Sequence, residues 1–237
     1  MSDWKAKRFW KEATVEQAEE GFEVRLDGRP VKTPAKRSLI LPTQAMAAVV
    51  AAEWDAQEGE IKPHLMPATK TANAALDKVV GQHAEVADML ADYGDSDLLC
   101  YRADRPAELV ARQAALWDPM LEWAQQTFGV TLALRTGVMH QPQDAAVLAV
   151  LRQQTHALSA FELAAFHDLV SLSGSLILGF AAARQARDVE ALWDLSRLDE
   201  IWQAEQWGVD DEAEEMAAIK KASFLHANTM FTLCRAA

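Results

Sequence analysis

Near its start the chain alternates with a period of two. Phe22, Val24 and Leu26 fall on one side and Glu23 and Arg25 on the other, the pattern of a half-buried strand. Asp27-Gly28 follows directly and gives a strong hairpin signal, with Val31 and Thr33 on the return segment. Pro30 has no backbone donor, so the return strand starts there or keeps a free edge. Ser38 to Leu41 is a third strand candidate and Phe9 to Val15 a fourth, which together make a small antiparallel sheet.

Beyond Pro42 the period becomes helical. Thr43 is placed as an N-cap, and Met46, Val49, Val50 and Trp54 recur at helical spacing through about Gln57. Past Pro63 and Pro67, helices are expected over Ala68 to Val80 and His83 to Tyr93, with Gly81 and Gly94 as breaks. Pro106 and Pro119 fit the first turns of two further helices, and Val130 to Leu134 could be extended. Ser159 and Glu162 have the spacing of a capping box at the start of a helix running past Phe166. Two last helices are predicted, over about 188–207 and 211–234, split at Gly208. The expected fold class is α+β: a small antiparallel β-rich N-terminal domain over 1–80 with one or two helices, then a larger all-helical domain over 81–237.

Composition supports a packed chain, since half of it is hydrophobic and rich in alanine. The net charge of −12 disfavours nucleic acid, whose phosphates need a basic face. The charge is uneven: residues 1–41 carry nine Lys/Arg against seven Asp/Glu, and the remainder 14 against 28. Solubility and an acidic docking surface both account for that excess. Cys100 and Cys234 are far apart and in no metal or redox spacing, as expected of buried thiols in a reducing compartment. Met1 to Lys5 lack the apolar core of a signal peptide, and the longest uncharged run, Leu169 to Ala183, is too short to span a bilayer. The expectation is a cytoplasmic protein with no membrane insertion, and a monomer, because no heptad seam or symmetric patch is visible.

Catalytic signatures are absent: there is no phosphate loop, G-x-S-x-G, H-E-x-x-H, C-x-x-C or EF-hand pattern, and no metal or cofactor is called for. His156 and His167 would share a face only on one helix, which Ser159 interrupts. Asp168 beside His167 is expected to point elsewhere, and the six histidines read as surface or satisfied core residues. Among eight tryptophans most should be core, with one or two exposed anchors. The stretch Leu192 to Glu215 is the most unusual. Trp193, Arg197, Glu200, Ala204 and Trp207 fall along one helical stripe, and Leu198, Ile201, Trp202 and Glu205 along its neighbour. Dipole complementarity explains Asp211 and Glu212 beyond Gly208, but not Glu200 or Glu205 beside tryptophans. A partner-binding patch of Glu200, Trp202, Glu205 and Trp207 is the candidate site.

Four blocks carry a family resemblance: Arg8 to Val15 continuing into Gly21 to Pro34; Ala51 to Gln57; Asp97 to Ala124, with cores Cys100-Tyr101-Arg102 and Trp117-Asp118-Pro119; and Leu195 to Gly208. In this order they resemble the mitochondrial and alphaproteobacterial F1-ATPase assembly chaperones of the assembly factor 2 type. The resemblance implies a non-catalytic chaperone whose client is the F1 alpha subunit, its beta-facing surface shielded until beta displaces the chaperone. It also implies a dependence on an acidic position in the fourth block, which Glu200 matches best with Glu205 close by, and a role in folding for Trp54. The rival reading is an enzyme with a helical pocket, using Glu200 or Glu205 as a general base near His167 or His226, its pKa raised by burial against tryptophan.

Overall fold

The computed structural model describes residues 7–137 and 139–236, so the opening Met1 to Lys5 lies outside the described residues. The chain divides into two compact units. One takes the residues up to His83, Ser159–Ala165 and those from Thr229 onward; the other takes Ala84–Leu158 and Phe166–Asn228.

In the first unit the sheet is built around β2 (Gly21–Leu26), with β1 (Ala13–Ala18) antiparallel on one side in the register Ala13↔Leu26 to Ala18↔Gly21. On the other side β2 meets β3 (Arg29–Pro30) and then β4 (Ile40–Leu41). Asp27 and Gly28 both adopt positive φ, +47° and +79°, which gives the two-residue turn a twist that matches its strands. The return segment is shorter than the alternation suggested. Val31 still donates to the Val24 carbonyl, but the chain then makes a side loop, closed by the Lys32↔Ser38 bridge, before rejoining the sheet at Ile40.

The strand expected over Phe9 to Val15 is displaced to Ala13–Ala18, because the upstream backbone has other partners. The amides of Lys11 and Glu12 donate to the Asp27 carboxylate at 2.9 and 3.1 Å, and Phe9 is 66 % exposed. These two backbone N–H groups, Glu12 first, hold Asp27 below the usual carboxylate range.

Helix α1 (Gln44–Asp55) packs on β1 and β2 through Met46, Ala47, Val50 and Ala51. Thr43 caps it, accepting from the Met46 amide at 3.1 Å while donating to the Leu233 carbonyl at 2.7 Å. That bond, with the Arg235–Glu162 ion pair, ties the residues around 159–165 and the last turn of the chain to this unit. At the far end of α1, Arg8 donates to the carbonyls of Asp55 and Gln57, and Trp10 lies edge-on to Trp54 at 5.3 Å. The first two sequence blocks are therefore the two sides of one contact, with Trp54 in a structural position. Glu53 reaches from α1 to the start of α2 (Pro67–Asp77), accepting from the amides of Ala68 and Thr69 at 2.6 and 2.7 Å.

The second unit is helical apart from a two-residue parallel ladder, β5 (Tyr101–Arg102) with β6 (Arg135–Thr136). It holds all but the first residue of α3 (His83–Ala91), α4 (Ala107–Phe128), α5 (Ala145–His156), the greater part of α6 (Ala160–Ser173), α7 (Leu176–Ala183), α8 (Val189–Ser196), α9 (Leu198–Trp207) and most of α10 (Asp211–Leu233). At the start of α6 the capping box forms: Ser159 and Glu162 each accept from the other's amide, at 3.3 and 2.7 Å. Helix α7 is buried on every side from Leu176 to Ala182, as an uncharged run too short for a membrane should be. Among the described residues no helix is long and apolar enough to cross a membrane.

Two helix expectations fail. Pro119 does not begin a helix but sits inside α4. It removes one hydrogen bond, yet buried Trp117 and Met120 hold the helix on either side of it, and the Trp117 indole donates to the Leu195 carbonyl at 2.9 Å. The helix expected over 188–207 is broken at Arg197, whose amide turns back to the Asp194 carbonyl at 3.1 Å. In the third block, Arg102 lies over the Trp117 ring at 5.3 Å and 2.8 Å from the Asp118 carboxylate. Alignment there is too poor for a hydrogen bond, so the pairing is Coulombic.

Candidate partner-binding site

The break at Arg197 and the end of α9 before Gly208 leave a ten-residue helix in which only Leu198 is fully buried. Polar contacts hold α9 on α4. Arg112 grips Glu205 with both terminal guanidinium nitrogens, at 2.5 and 2.9 Å, and its charge lies over the Trp202 ring at 5.8 Å. Next to Arg112 on α4, Gln113 donates to Asp199 at 2.7 Å while accepting from the Ala103 amide at 2.8 Å. The third and fourth blocks are thus also two sides of one contact.

The opposite face of α9 looks across an open groove of about 630 Å³ to the first half of α10. Its floor includes Trp193, 4 % exposed and packed on Phe224 at 5.6 Å, together with Ile201 and Ala204; Ala213 and Ala217 form the α10 side. Asp210 caps α10, its carboxylate accepting from the amides of Glu212 and Ala213 at 3.0 and 3.2 Å. A smaller groove of about 340 Å³ runs past Pro106, Leu109 and Trp202.

The four candidate residues therefore separate. Glu200 lines the larger groove, half exposed and paired with Arg197 at 2.7 Å. Trp202 lines the smaller one, and Trp207, 79 % exposed, borders both. Glu205 lines neither; its carboxylate is spent on Arg112, which holds it below the usual carboxylate range. Sequence reasoning missed Arg112, because nothing local links it to a residue 93 positions later. It also missed the alanine side of α10, whose residues carry no chemical signal. Because Trp207 is so exposed, Trp207→Ala should change the unfolding free energy by no more than about 0.5 kcal/mol, measurable by urea denaturation.

The requirements of the enzyme reading are not met at these glutamates. Glu205 is lowered rather than raised, and the partners of Glu200 and Glu205 are arginines, not His167 or His226. His167 instead meets Asp168 at 2.9 Å, so that neighbouring carboxylate does reach it, contrary to the expectation from helix geometry. His140 and His156 meet Asp95 and Asp88 at 2.9 and 2.7 Å. Both cysteines are free thiols pushed up to about 12, chiefly by burial. Asp97 is the carboxylate raised by burial, and neither groove includes it.

Comparison with known proteins adds three findings. A family model described as ATP12 chaperone protein matches residues 7–125. Protein atp12, mitochondrial, of Schizosaccharomyces pombe is 27% identical over 228 residues, covering 89% of this chain and 76% of its own length. Among solved structures, Atp12 from Paracoccus denitrificans is 46% identical with a TM-score of 0.95, covering 98% of this chain and 100% of that one. An aspartate-to-lysine mutant of that protein also reaches 0.95 at 46% identity, over 99% of this chain and 100% of its own. Atu1473 protein from Agrobacterium tumefaciens is 40% identical with a TM-score of 0.92, over 97% of this chain and 86% of its own.

Proposed function

The chain belongs to the ATP12 chaperone family, and on that premise we propose that it is a non-catalytic, cytoplasmic chaperone of F1-ATPase assembly. It binds the unassembled alpha subunit and shields the surface that beta later occupies. The observation that carries this reading is the open groove with Glu200 on its wall and Trp207 exposed at its edge. Holding a client requires apolar contact area that can be given up again, together with charge that orients the encounter. An exposed indole costs little to bury, and a half-exposed glutamate supplies direction without a large desolvation penalty. Glu205 has a different part: through Arg112 it positions α9.

The test is co-purification of the tagged protein from its host. Alpha subunit should be recovered without stoichiometric beta or gamma, and the protein should be absent from the finished ATPase. Glu200→Lys reverses a charge on the groove wall and sets two cations three residues apart with Arg197. Recovery of alpha should fall sharply while stability stays within about 1 kcal/mol. Unchanged recovery would remove Glu200 from the binding site, and a large fall in melting temperature would make it structural.

A further inference from the structure

Resting on that reading of the groove, we propose that its occupant is an apolar segment of the client flanked by arginine or lysine. The walls are mismatched in size. Helices in full contact interdigitate their side chains at about 8–10 Å between axes. Here α10 offers the methyl groups of Ala213 and Ala217 to Trp193, Ile201 and Trp207, and about 630 Å³ stays open between them. That volume lies within the range of about 300–1,000 Å³ typical of ligand sites. Packing agrees: no residue of α10 is buried before Phe224, whereas Phe224, Ala227, Met230 and Phe231 all are. At the α9–α10 turn, on the groove itself, Trp207 and Val209 are 79 and 62 % exposed. Large apolar side chains so close together on a surface mark a place where another surface fits.

Charge decides what kind of surface. The groove's two basic residues are already engaged, Arg197 with Glu200 at 2.7 Å and Lys221 with Glu190 at 2.8 Å. Asp194 and Glu214 line the same groove and are exposed; Asp194 adds to the field on Lys221, but neither makes a salt bridge among the described residues, and with Glu200 and Asp210 the groove's acids outnumber its two bases. The charge left to answer is negative, so an acidic or phosphorylated segment would be repelled, while a cation beside an apolar anchor would find both partners.

The probe is a short labelled helical peptide with leucines on one face and lysines beside them, compared with its glutamate-for-lysine counterpart. The lysine form should bind the intact protein at least about tenfold more tightly. Asp194→Asn with Glu214→Gln should cost about tenfold, whereas Glu19→Gln with Glu20→Gln, an equal charge change at the exposed β1–β2 turn, should cost little. Ala217→Trp, which fills the groove, should abolish binding in a protein that still melts cooperatively. Equal affinity for the two peptides, equal loss from the two charge pairs, or binding that survives Ala217→Trp would overturn the proposal. Isolated alpha subunit is tested in parallel. Failure of alpha to bind where the peptide binds as expected sinks the chaperone reading but leaves the groove chemistry standing. Retention of alpha with indifference between the peptides does the reverse.

Discussion

Asp97→Ala should lower the unfolding free energy by about 3–5 kcal/mol, a large part of the roughly 5–15 kcal/mol by which an ordinary domain is stable. Asp97 is fully buried, and both of its oxygens are in use. Oδ1 accepts from the Leu99 amide at 3.0 Å and the Ser175 hydroxyl at 2.7 Å, and Oδ2 from the Ile177 amide at 3.0 Å. One carboxylate thus serves both the turn Leu98–Cys100 and the start of α7, where Ser175, Leu176 and Ile177 are themselves fully buried. Truncation strands three donors in the core, at about 1–3 kcal/mol each before relaxation. Urea denaturation followed by circular dichroism reads the loss directly, and a fall of less than about 1 kcal/mol would mean that Ser175, which accepts from the Leu178 amide at 3.0 Å, caps α7 well enough alone.

The same group predicts a pH dependence of definite sign. Burial pushes the Asp97 carboxyl up to about 6, outweighing the hydrogen bonds from Ile177, Ser175 and Leu99 that favour its ionised form. Between the ordinary carboxylate range near 4 and that value, the folded state holds a proton the unfolded state has released. The stabilisation associated with that proton is fully present below the unfolded pKa and is lost as pH rises through about 6. The stability difference between the wild type and Asp97→Asn should therefore shift against the wild type from pH 4 to pH 7, by about 2–3 kcal/mol. A flat difference across that window would show that the donors hold the carboxylate ionised throughout.

What could be read from the sequence divides by range. Asp27-Gly28, Thr43 and the Ser159–Glu162 pair act within four residues, and their turn, cap and capping box all form. Ordinary propensity was overridden wherever a distant group took over a backbone or side-chain role. The Asp27 carboxylate captures the amides of Lys11 and Glu12 and so moves the start of β1. Trp117, anchored to the Leu195 carbonyl, keeps α4 continuous through Pro119. At the candidate site the helical stripes grouped Trp193, Glu200, Ala204 and Trp207 as they lie, on one groove. Glu200 and Glu205 looked equivalent in sequence, both acidic and both beside tryptophan. Only Arg112, brought in by α4, makes one a wall of the groove and the other a tether.

Gly21→Ala is expected to cost about 3–4 kcal/mol, the second large effect, through strain joined to a clash. Gly21 has φ of +143°, a conformation that L side chains rarely adopt, and it closes the β1–β2 turn opposite Ala18. An added Cβ would stand 2.4 Å from the Leu41 carbonyl oxygen and 3.2 Å from Ile40 Cγ2. The carbonyl cannot easily retreat, because Phe22 pairs with Leu41 and Glu23 with Ile40, and Leu41 is itself fully buried. Relief therefore requires β4 to separate from β2 and expose Leu41, at about 25 cal/mol for each Å² of apolar surface. Gly28→Asn is the control: that position also has positive φ, +79°, but nothing lies within 4 Å, and asparagine is accepted in this turn. Denaturation midpoints should fall steeply for the first variant and by a few tenths of a kcal/mol for the second. Similar losses at both would assign the cost to backbone conformation alone and clear the Leu41 carbonyl of any part in it.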